Sequence, residues 1–238
     1  MIMTGLKINS NLIEFTDWEQ VTDWATEHQH TLPSLFVSQI HKLSQGRYPT
    51  DAFTMGQLAS KIWLTSVIYD QIGEIGIAND IAYLGCWIAP LTTFLSVAFN
   101  ASRVFGFDAD PEAIDLADDF NSDYVKDNWR FKGVVSDINI MDWHTPEFVV
   151  QGELISDFMP DVIVNTSAEH MSDDWFMSAS ANQLVIMQTN NNPRLEGHVN
   201  CVDSVETMKA QYPMRDTIYA GQMITPAYTR YMQIGYPA

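Results

Sequence analysis

Apolar residues in the last two thirds of the chain form short runs separated by longer, helix-like patterns. The short runs lie at 81–84, 104–107, 131–135, 161–164 and 183–187. A helical pattern at 111–120 is typical of the intervening segments, and Pro111 suits the first turn of that helix. Strands that alternate with helices in this way predict a parallel sheet with crossover helices.

The end of the chain departs from this alternation. Residues 216–224 and 229–234 both have strand-like patterns, and only residues 225–228 separate them. This connection is too short for a helix, so the two strands must form an antiparallel hairpin. We therefore predict an α/β fold: a Rossmann-like, doubly wound, mainly parallel seven-stranded sheet with a terminal antiparallel hairpin.

The first third of the chain has a helical character. Residues 1–75 contain no convincing series of strands. Thr54 and Gln57 match a capping box ahead of an amphipathic run. Gln57 and Lys61 lie off its apolar stripe, so they either face solvent or reach into a ligand site beneath this helix. We predict a helical N-terminal extension at 1–75 and the α/β domain at 76–238.

Composition and charge narrow the classes of function. Of the 238 residues, 46% are hydrophobic, which suits one large domain with an extension. No apolar run approaches the roughly 20 residues that span a bilayer, and the first residues lack a signal-peptide pattern, so we expect a cytoplasmic protein without a membrane partner. The chain carries 12 Lys and Arg against 30 Asp and Glu, a net charge of −18, with no basic run. Nucleic acid is therefore disfavoured as a partner.

The two cysteines, Cys86 and Cys201, suggest neither a disulfide framework nor a metal site. They fall in different predicted loops, which fits a reducing interior. Together with the scattered histidines they show no metal-ligand spacing, so we predict no metal. Cys86 has no evident base beside it, and a nucleophilic role is not expected.

The stretch 81–110 predicts a ligand site. One apolar strand runs into Gly85, a helix opens after Pro90, and the next strand ends at Asp108. The turn and the helix start can receive the polar chain of a nucleotide-like ligand, while the carboxylate accepts hydrogen bonds from ribose hydroxyls. Asp110, just ahead of the next helix, is the better candidate for its N-cap, which leaves Asp108 for a ligand.

The order of strands and the strand-end residues resemble the class I S-adenosylmethionine-dependent methyltransferases over roughly residues 78–238. The resemblance implies S-adenosylmethionine as the cofactor. It places Gly85 at the start of the cofactor-binding turn and Asp108 at the ribose hydroxyls. It also implies that Asp137 accepts from the adenine amino group and that Asn165, which opens a loop that faces the substrate, belongs to the cofactor site.

The turn after Gly85 departs from the family, whose turn is rich in glycine. Here Cys86, Trp87 and Pro90 occupy it, so the methionine end of the cofactor could be held differently. Trp87 could stack on adenine or on a cationic acceptor, or it could pack in the core.

Polar residues after the fourth and fifth predicted strands are candidates for chemistry and for substrate binding. Glu169 and His170 could take a proton from an acceptor, although adjacent residues need not face the same way. Gln188, Asn190 and His198 could bind a polar substrate, with turn formation as the alternative.

Two local similarities bear on the reaction. The turn from Gly85 to Pro90 looks somewhat like that of nicotianamine synthases, which have the same fold and cofactor but transfer an aminocarboxypropyl group. Segments 56–64, 85–87 and 165–171 are similar to methyltransferase-like proteins of tailed phages, which implies the cytoplasm of a host cell.

The resemblance as a whole implies a methyltransferase that acts on a small molecule or on a protein side chain. Aminocarboxypropyl transfer is one alternative. Another is a non-catalytic binding module, in which side chains of the turn fill the cofactor pocket. A dinucleotide oxidoreductase fits less well, because the first turn lacks three spaced glycines. The acceptor and the oligomeric state, including a homo-oligomer, stay open.

Overall fold

The structure, a computed structural model, describes residues 12–14, 48–72 and 78–238. Ten strands are present in this part of the chain: β1 (Leu12–Glu14), β2 (Asp80–Leu84), β3 (Arg103–Asp108), β4 (Phe131–Val135), β5 (Phe148–Val150), β6 (Glu153–Ile155), β7 (Val162–Asn165), β8 (Leu184–Asn190), β9 (Met214–Ile224) and β10 (Thr229–Pro237). Eight of them form one sheet in the order β1-β9-β10-β8-β7-β2-β3-β4, and β5 pairs with β6 in a separate hairpin.

The sheet changes direction of winding at β2. This strand is parallel to β3 on one side and to β7 on the other, and Leu84 is level with both Phe107 and Asn165. The chain therefore moves outward from β2 to β4 and then returns to the far side of β2. In open α/β sheets, ligands bind at such a switch point, outside the carboxyl ends of the strands.

The predicted terminal hairpin is confirmed. Strand β10 lies between β8 and β9 and is antiparallel to both. Seven strands of the sheet therefore match the prediction. The additional strand β1 pairs in parallel with β9 at the outer edge. It falls in the segment predicted as helical, where three residues are too few to show a periodic pattern. Most of the first 47 residues lie outside the described residues, so the division at residue 75 stays a prediction.

Helices cover both faces of the sheet. They are α1 (Met55–Val67), α2 (Thr92–Ala98), α3 (Pro111–Phe120), α4 (Ser122–Lys126), α5 (Asp174–Met177) and α6 (Val205–Gln211). Two predicted caps are present: the Thr54 hydroxyl accepts a hydrogen bond from the Gln57 amide, and the Asp110 carboxylate accepts one from the Glu112 amide. No helix in the described ranges has both the length and the apolar character to cross a membrane.

Two apolar layers form the core, one on each face of the sheet. In β2, Ile81 and Tyr83 join Trp63 of α1 in one layer, whereas Ala82 and Leu84 join the other. Burial on both faces explains why these strands have continuous apolar runs. Because α1 packs over the Tyr83 side of the sheet, its polar residues reach the carboxyl ends of the strands.

Candidate functional site

A cavity of about 440 Å³ lies at the switch point of the sheet. Its walls are the turn after β2, the end of β3, the loops after β4 and β7, and residues Gln57 and Lys61 of α1. A cavity of this size is within the range that holds small-molecule ligands.

The turn after β2 adopts the backbone shape that glycines usually provide. Gly85, Trp87 and Ala89 all have left-handed backbone angles, with φ of +54°, +51° and +48°. Gly85 also lies against the loop after β7, because an added Cβ would be 2.9 Å from the Met171 methyl group and 3.2 Å from Ser167 Cβ. The glycine-poor sequence therefore still forms a tight turn, with strain at the two non-glycine positions.

Asp108 holds this turn and also lines the cavity. Its Oδ2 accepts a hydrogen bond from the Trp87 amide at 2.9 Å, and its Oδ1 accepts one from the Asp110 amide at 3.1 Å. A carboxylate has about four acceptor positions, so both oxygens can accept a further bond from a ligand hydroxyl. Asp108 is thus placed where the sequence predicts a ribose-binding residue.

Cys86 and Trp87 have different surroundings within the turn. Both line the cavity, but Cys86 is buried and Trp87 is only partly buried. Burial raises the pKa of the Cys86 thiol well above its ordinary value, and the nearby Asp108 carboxylate acts in the same direction. Cys86 therefore stays protonated and has the character of a packing residue. Trp87 packs beside Ile88 and Phe120 while it contributes to the cavity wall.

Asp137 and Asn165, both assigned to the cofactor site by the resemblance, differ in position. Asp137 is exposed and lines the cavity, where its Oδ1 caps the short helix Ile138–Ile140 through the Asn139 amide at 3.0 Å. Asn165 is fully buried, and its side chain bonds to the Ser167 amide and to Met171 Sδ. Asn165 therefore stabilises the loop after β7 and does not line the cavity.

Thr166 and Ser167, which sequence analysis did not select, form the cavity wall at this point instead of Asn165. A hydroxyl residue in a loop has no pattern that distinguishes a wall position from a turn position. The spacing after a strand end is the one signal that could have indicated them.

Lys61 and Gln57 reach into the cavity, which excludes the solvent-facing alternative for Lys61. The lysine is 8% exposed, and its Nζ donates a hydrogen bond to Gln57 Oε1 at 2.8 Å. Burial lowers the pKa of Lys61 from 10.5 to about 7, and the Arg230 guanidinium lowers it as well, whereas Glu169 raises it. A lysine with such a pKa is close to its protonation midpoint at neutral pH.

Glu169 and His170 are neighbours in sequence but face different surroundings. Glu169 is 2% exposed and its Oε1 lies 3.1 Å from Arg230 Nη2 in a buried ion pair. Asn190 Nδ2 donates to the same oxygen at 2.7 Å. His170 is exposed and lines the cavity. Of the two, His170 lines the cavity and Glu169 does not, although one oxygen of Glu169 and one ring nitrogen of His170 lie within 4.8 Å of each other.

The predicted substrate-binding residues after the fifth strand are mostly buried. Gln188 is fully buried and donates to the Ser60 carbonyl at 3.1 Å, and Asn190 is held by Glu169. Neither lines the cavity. His198 is partly buried, and its ring meets that of His170 edge-on with centroids 4.5 Å apart. His198 therefore lies at the cavity rim, where it contacts His170, whereas Gln188 lies in the core.

No protein-family model and no curated sequence match the chain. Several solved structures, by contrast, are similar to it. Magnesium protoporphyrin IX methyltransferase from Synechocystis PCC 6803 has a TM-score of 0.53 at 10% identity, over 86% of this chain and 95% of that one.

Two further structures are similar to the same extent. A putative RNA methyltransferase from Pyrococcus horikoshii has a TM-score of 0.51 at 13% identity, over 87% of this chain and 98% of that one. An S-adenosylmethionine-dependent methyltransferase from Clostridium acetobutylicum has a TM-score of 0.51 at 12% identity, over 79% and 96%. With its strand order and its one reversed strand, this chain has the fold of the class I S-adenosylmethionine-dependent methyltransferases.

Proposed function

We propose that this protein binds S-adenosylmethionine in the cavity at the switch point and transfers its methyl group to a small molecule or a protein side chain. One observation carries the proposal: Asp108, at the end of β3, holds the turn after β2 and faces a cavity of about 440 Å³. That is where a carboxylate can accept hydrogen bonds from the ribose of a nucleotide-like ligand.

The residues around the cavity fit such a cofactor. Asp108 and Asp137 both line the cavity; in this proposal Asp108 accepts from the two ribose hydroxyls and Asp137, on the next loop, accepts from the adenine amino group. Trp87 and Ile138 supply apolar surface between them for the adenine ring. Gly85, which has no side chain, lets the loop after β7 lie against the end of β2 at the cavity wall.

Among the described residues, Lys61 is the one Lys or Arg that lines the cavity wall, and it fits an anionic group of the cofactor or of the acceptor. An anion beside it would favour the protonated form and raise its pKa again. Ser167, whose Oγ donates to the Gly85 carbonyl at 3.2 Å, lies on the same wall and can accept or donate one more bond.

The chain needs few catalytic groups for this chemistry. The bound cofactor would supply an activated methyl group on sulfur and a neutral leaving group, so the protein mainly aligns the acceptor with that carbon. His170, exposed on the cavity wall, is the residue placed to take the proton that the acceptor loses. Glu169 is held in its ion pair with Arg230, so we assign it a positioning role.

The open cavity argues against a non-catalytic module whose turn side chains fill the pocket. The proposal rests on cofactor binding, which isothermal titration with S-adenosylmethionine and S-adenosylhomocysteine tests. We expect micromolar affinity, weakened about tenfold or more by Asp108→Asn. Asp115→Asn, at an exposed position of α3, is the matched control and should bind as the unaltered protein does. Thermal unfolding of each variant checks that the fold is intact.

Absence of binding to either ligand by the unaltered protein would overturn the proposal. If binding is found, the nucleoside product separates the two transfer reactions. S-adenosylhomocysteine indicates methyl transfer, whereas methylthioadenosine would indicate aminocarboxypropyl transfer.

A further inference from the structure

Three side chains with metal-binding atoms meet at the rim of the cavity. One carboxylate oxygen of Glu169 and one ring nitrogen each of His170 and His198 lie within 4.8 Å of one another. Ligand atoms that lie about 2.1 Å from one ion are roughly 3 to 3.5 Å from one another. Small side-chain rotations that move these atoms by about 1 Å would therefore bring all three into contact with one ion. Two imidazoles and a carboxylate suit a divalent first-row transition metal.

The buried carboxylate has one oxygen to spare. Oε1 of Glu169 accepts from both Asn190 Nδ2 and Arg230 Nη2. Oε2 is buried as well, yet it has no hydrogen-bond partner among the described residues. A buried carboxylate oxygen without a partner is costly, and a cation would satisfy it. Carboxylates that bind a metal ion usually accept hydrogen bonds from neighbouring residues as well, as Oε1 of Glu169 does.

Backbone hydrogen bonds hold the two histidines together. The amides of Val199 and Asn200 both donate to the Glu169 carbonyl, at 2.9 and 3.0 Å, which ties the segment next to His198 to the start of the cluster. Gly197 has a φ of +77°, and an added Cβ there would be 3.3 Å from His170 Nδ1. The loop can therefore pass close to His170 because residue 197 is a glycine and has no side chain.

Charge at the cluster is compatible with a cation. The Arg230 guanidinium is the positive charge in direct contact with Glu169, and the carboxylate already neutralises it through the ion pair. The chain as a whole carries a net charge of −18, which attracts cations. Cys201 Sγ lies 3.8 Å from His198 Nδ1, but it is not among the three ligand atoms that lie within 4.8 Å of one another.

From this geometry we infer that Glu169, His170 and His198 form a binding site for one divalent transition-metal ion at the rim of the cavity. His170 is exposed and lines the cavity, so further coordination positions of the ion would be open to molecules there. The inference stands apart from the proposed cofactor, since none of the three residues is assigned to it. In the metal-bound protein it replaces the general-base role given to His170 above, because an imidazole that binds an ion has no free basic nitrogen.

The test is titration of chelator-treated full-length protein with Zn²⁺, followed by calorimetry, and with Co²⁺, followed by visible absorption. We expect one ion per chain, and His170→Ala and His198→Ala should each weaken binding by about tenfold or more. His144→Ala, which removes an exposed histidine from another part of the fold, is the matched control and should bind as the unaltered protein does. Glu169→Gln is not used, because it would leave the buried Arg230 without a charged partner.

Histidines 28, 30 and 41 lie outside the described residues, so the variants are needed to assign any binding to this cluster. Binding that survives both His170→Ala and His198→Ala would overturn the inference, as would the absence of binding by the unaltered protein. Thermal unfolding of the metal-free variants confirms that lost binding is not lost folding.

Discussion

Lys61 extends from α1 into the cavity with 8% of its surface exposed, and its pKa is lowered to about 7 by burial. Its ammonium group has a neutral hydrogen-bond partner, Gln57, and no carboxylate within ion-pair distance in the described residues. An unpaired buried cation reduces stability, and proteins keep such groups mainly where function needs them. The burial of Lys61 is therefore an argument for a role at the site.

We predict that Lys61→Met stabilises the protein by about 1–3 kcal/mol at pH 7. The folded state releases the Lys61 proton near pH 7, whereas the unfolded chain holds it to about pH 10.4. Between these values unfolding takes up a proton, so the stability of the unaltered protein rises with pH and the advantage of the variant shrinks. Urea unfolding at about pH 7 and pH 10 measures both effects. A stability difference that is independent of pH would contradict this prediction.

His170 and Glu169 illustrate how neighbours in sequence acquire different roles. The short helical turn at Ala168–His170 points one side chain to Arg230 and the next to the cavity. Their position after a strand end made both residues candidates and did not distinguish between them. Arg230, the partner of Glu169, lies in β10, some sixty residues further along the chain, and no local sequence pattern predicts that contact.

At the scale of elements, the turn after β2 shows that backbone shape can be kept without the usual residues. Trp87 and Ala89 adopt left-handed angles, and Asp108 accepts a hydrogen bond from the Trp87 amide. Such angles cost an L-residue about 1–2 kcal/mol, so surrounding contacts must hold the turn. Strain of this kind is common at ligand sites, which fits the place of this turn at the cavity.

Gly85→Ala should destabilise the protein by about 2–4 kcal/mol, through both its positive φ and its contacts with Met171 and Ser167. Gly152→Ala is the matched control: it also has a positive φ, +87°, but nothing within 4 Å of an added Cβ. Its cost should be about 1–2 kcal/mol. Denaturant unfolding of both variants isolates the contact contribution. Equal losses would show that the turn does not press on the loop after β7.

Strand β8 is longer than its apolar run predicts. The apolar run predicts that the strand ends near Met187, which would leave Gln188 and Asn190 in a loop. In the structure these residues pair with Met232 and Arg230 of β10, so β8 continues to Asn190 and both side chains are buried. Their side-chain amide groups donate hydrogen bonds to the Ser60 carbonyl and to Glu169, whereas Gln188 Oε1 has no partner among the described residues. Local polarity therefore suggested a loop where strand pairing and buried partners produce a strand.

At the scale of the whole molecule, the net charge of −18 bears on the acceptor. The described cations are largely paired or isolated: Arg103 with Asp80, Arg230 with Glu169, and Arg215 with Asp216. A polyanion would have to overcome the field of the whole molecule to reach the cavity. The fold alone does not limit the acceptor, because similar folds occur in proteins with different substrates.

We accordingly predict no binding of nucleic acid at about 0.15 M salt, an ionic strength with a Debye length of about 8 Å. Fluorescence anisotropy with labelled single-stranded and duplex RNA and DNA measures this, and a basic RNA-binding domain serves as the positive control. Saturable binding with a dissociation constant in the micromolar range or below would contradict the prediction and reopen nucleic acid as the acceptor.

Sequence by itself determined the alternation of strands and helices, the terminal hairpin, and the Asp108 carboxylate at a strand end. These features depend on local patterns of apolar and turn-forming residues, which a linear chain displays directly. The tertiary structure alone decided that Lys61 faces the cavity, that Gln188 is buried, and that His170, His198 and Glu169 meet. Those contacts join segments far apart in the chain, and they depend on strand register and on helix packing, which no short stretch of sequence encodes.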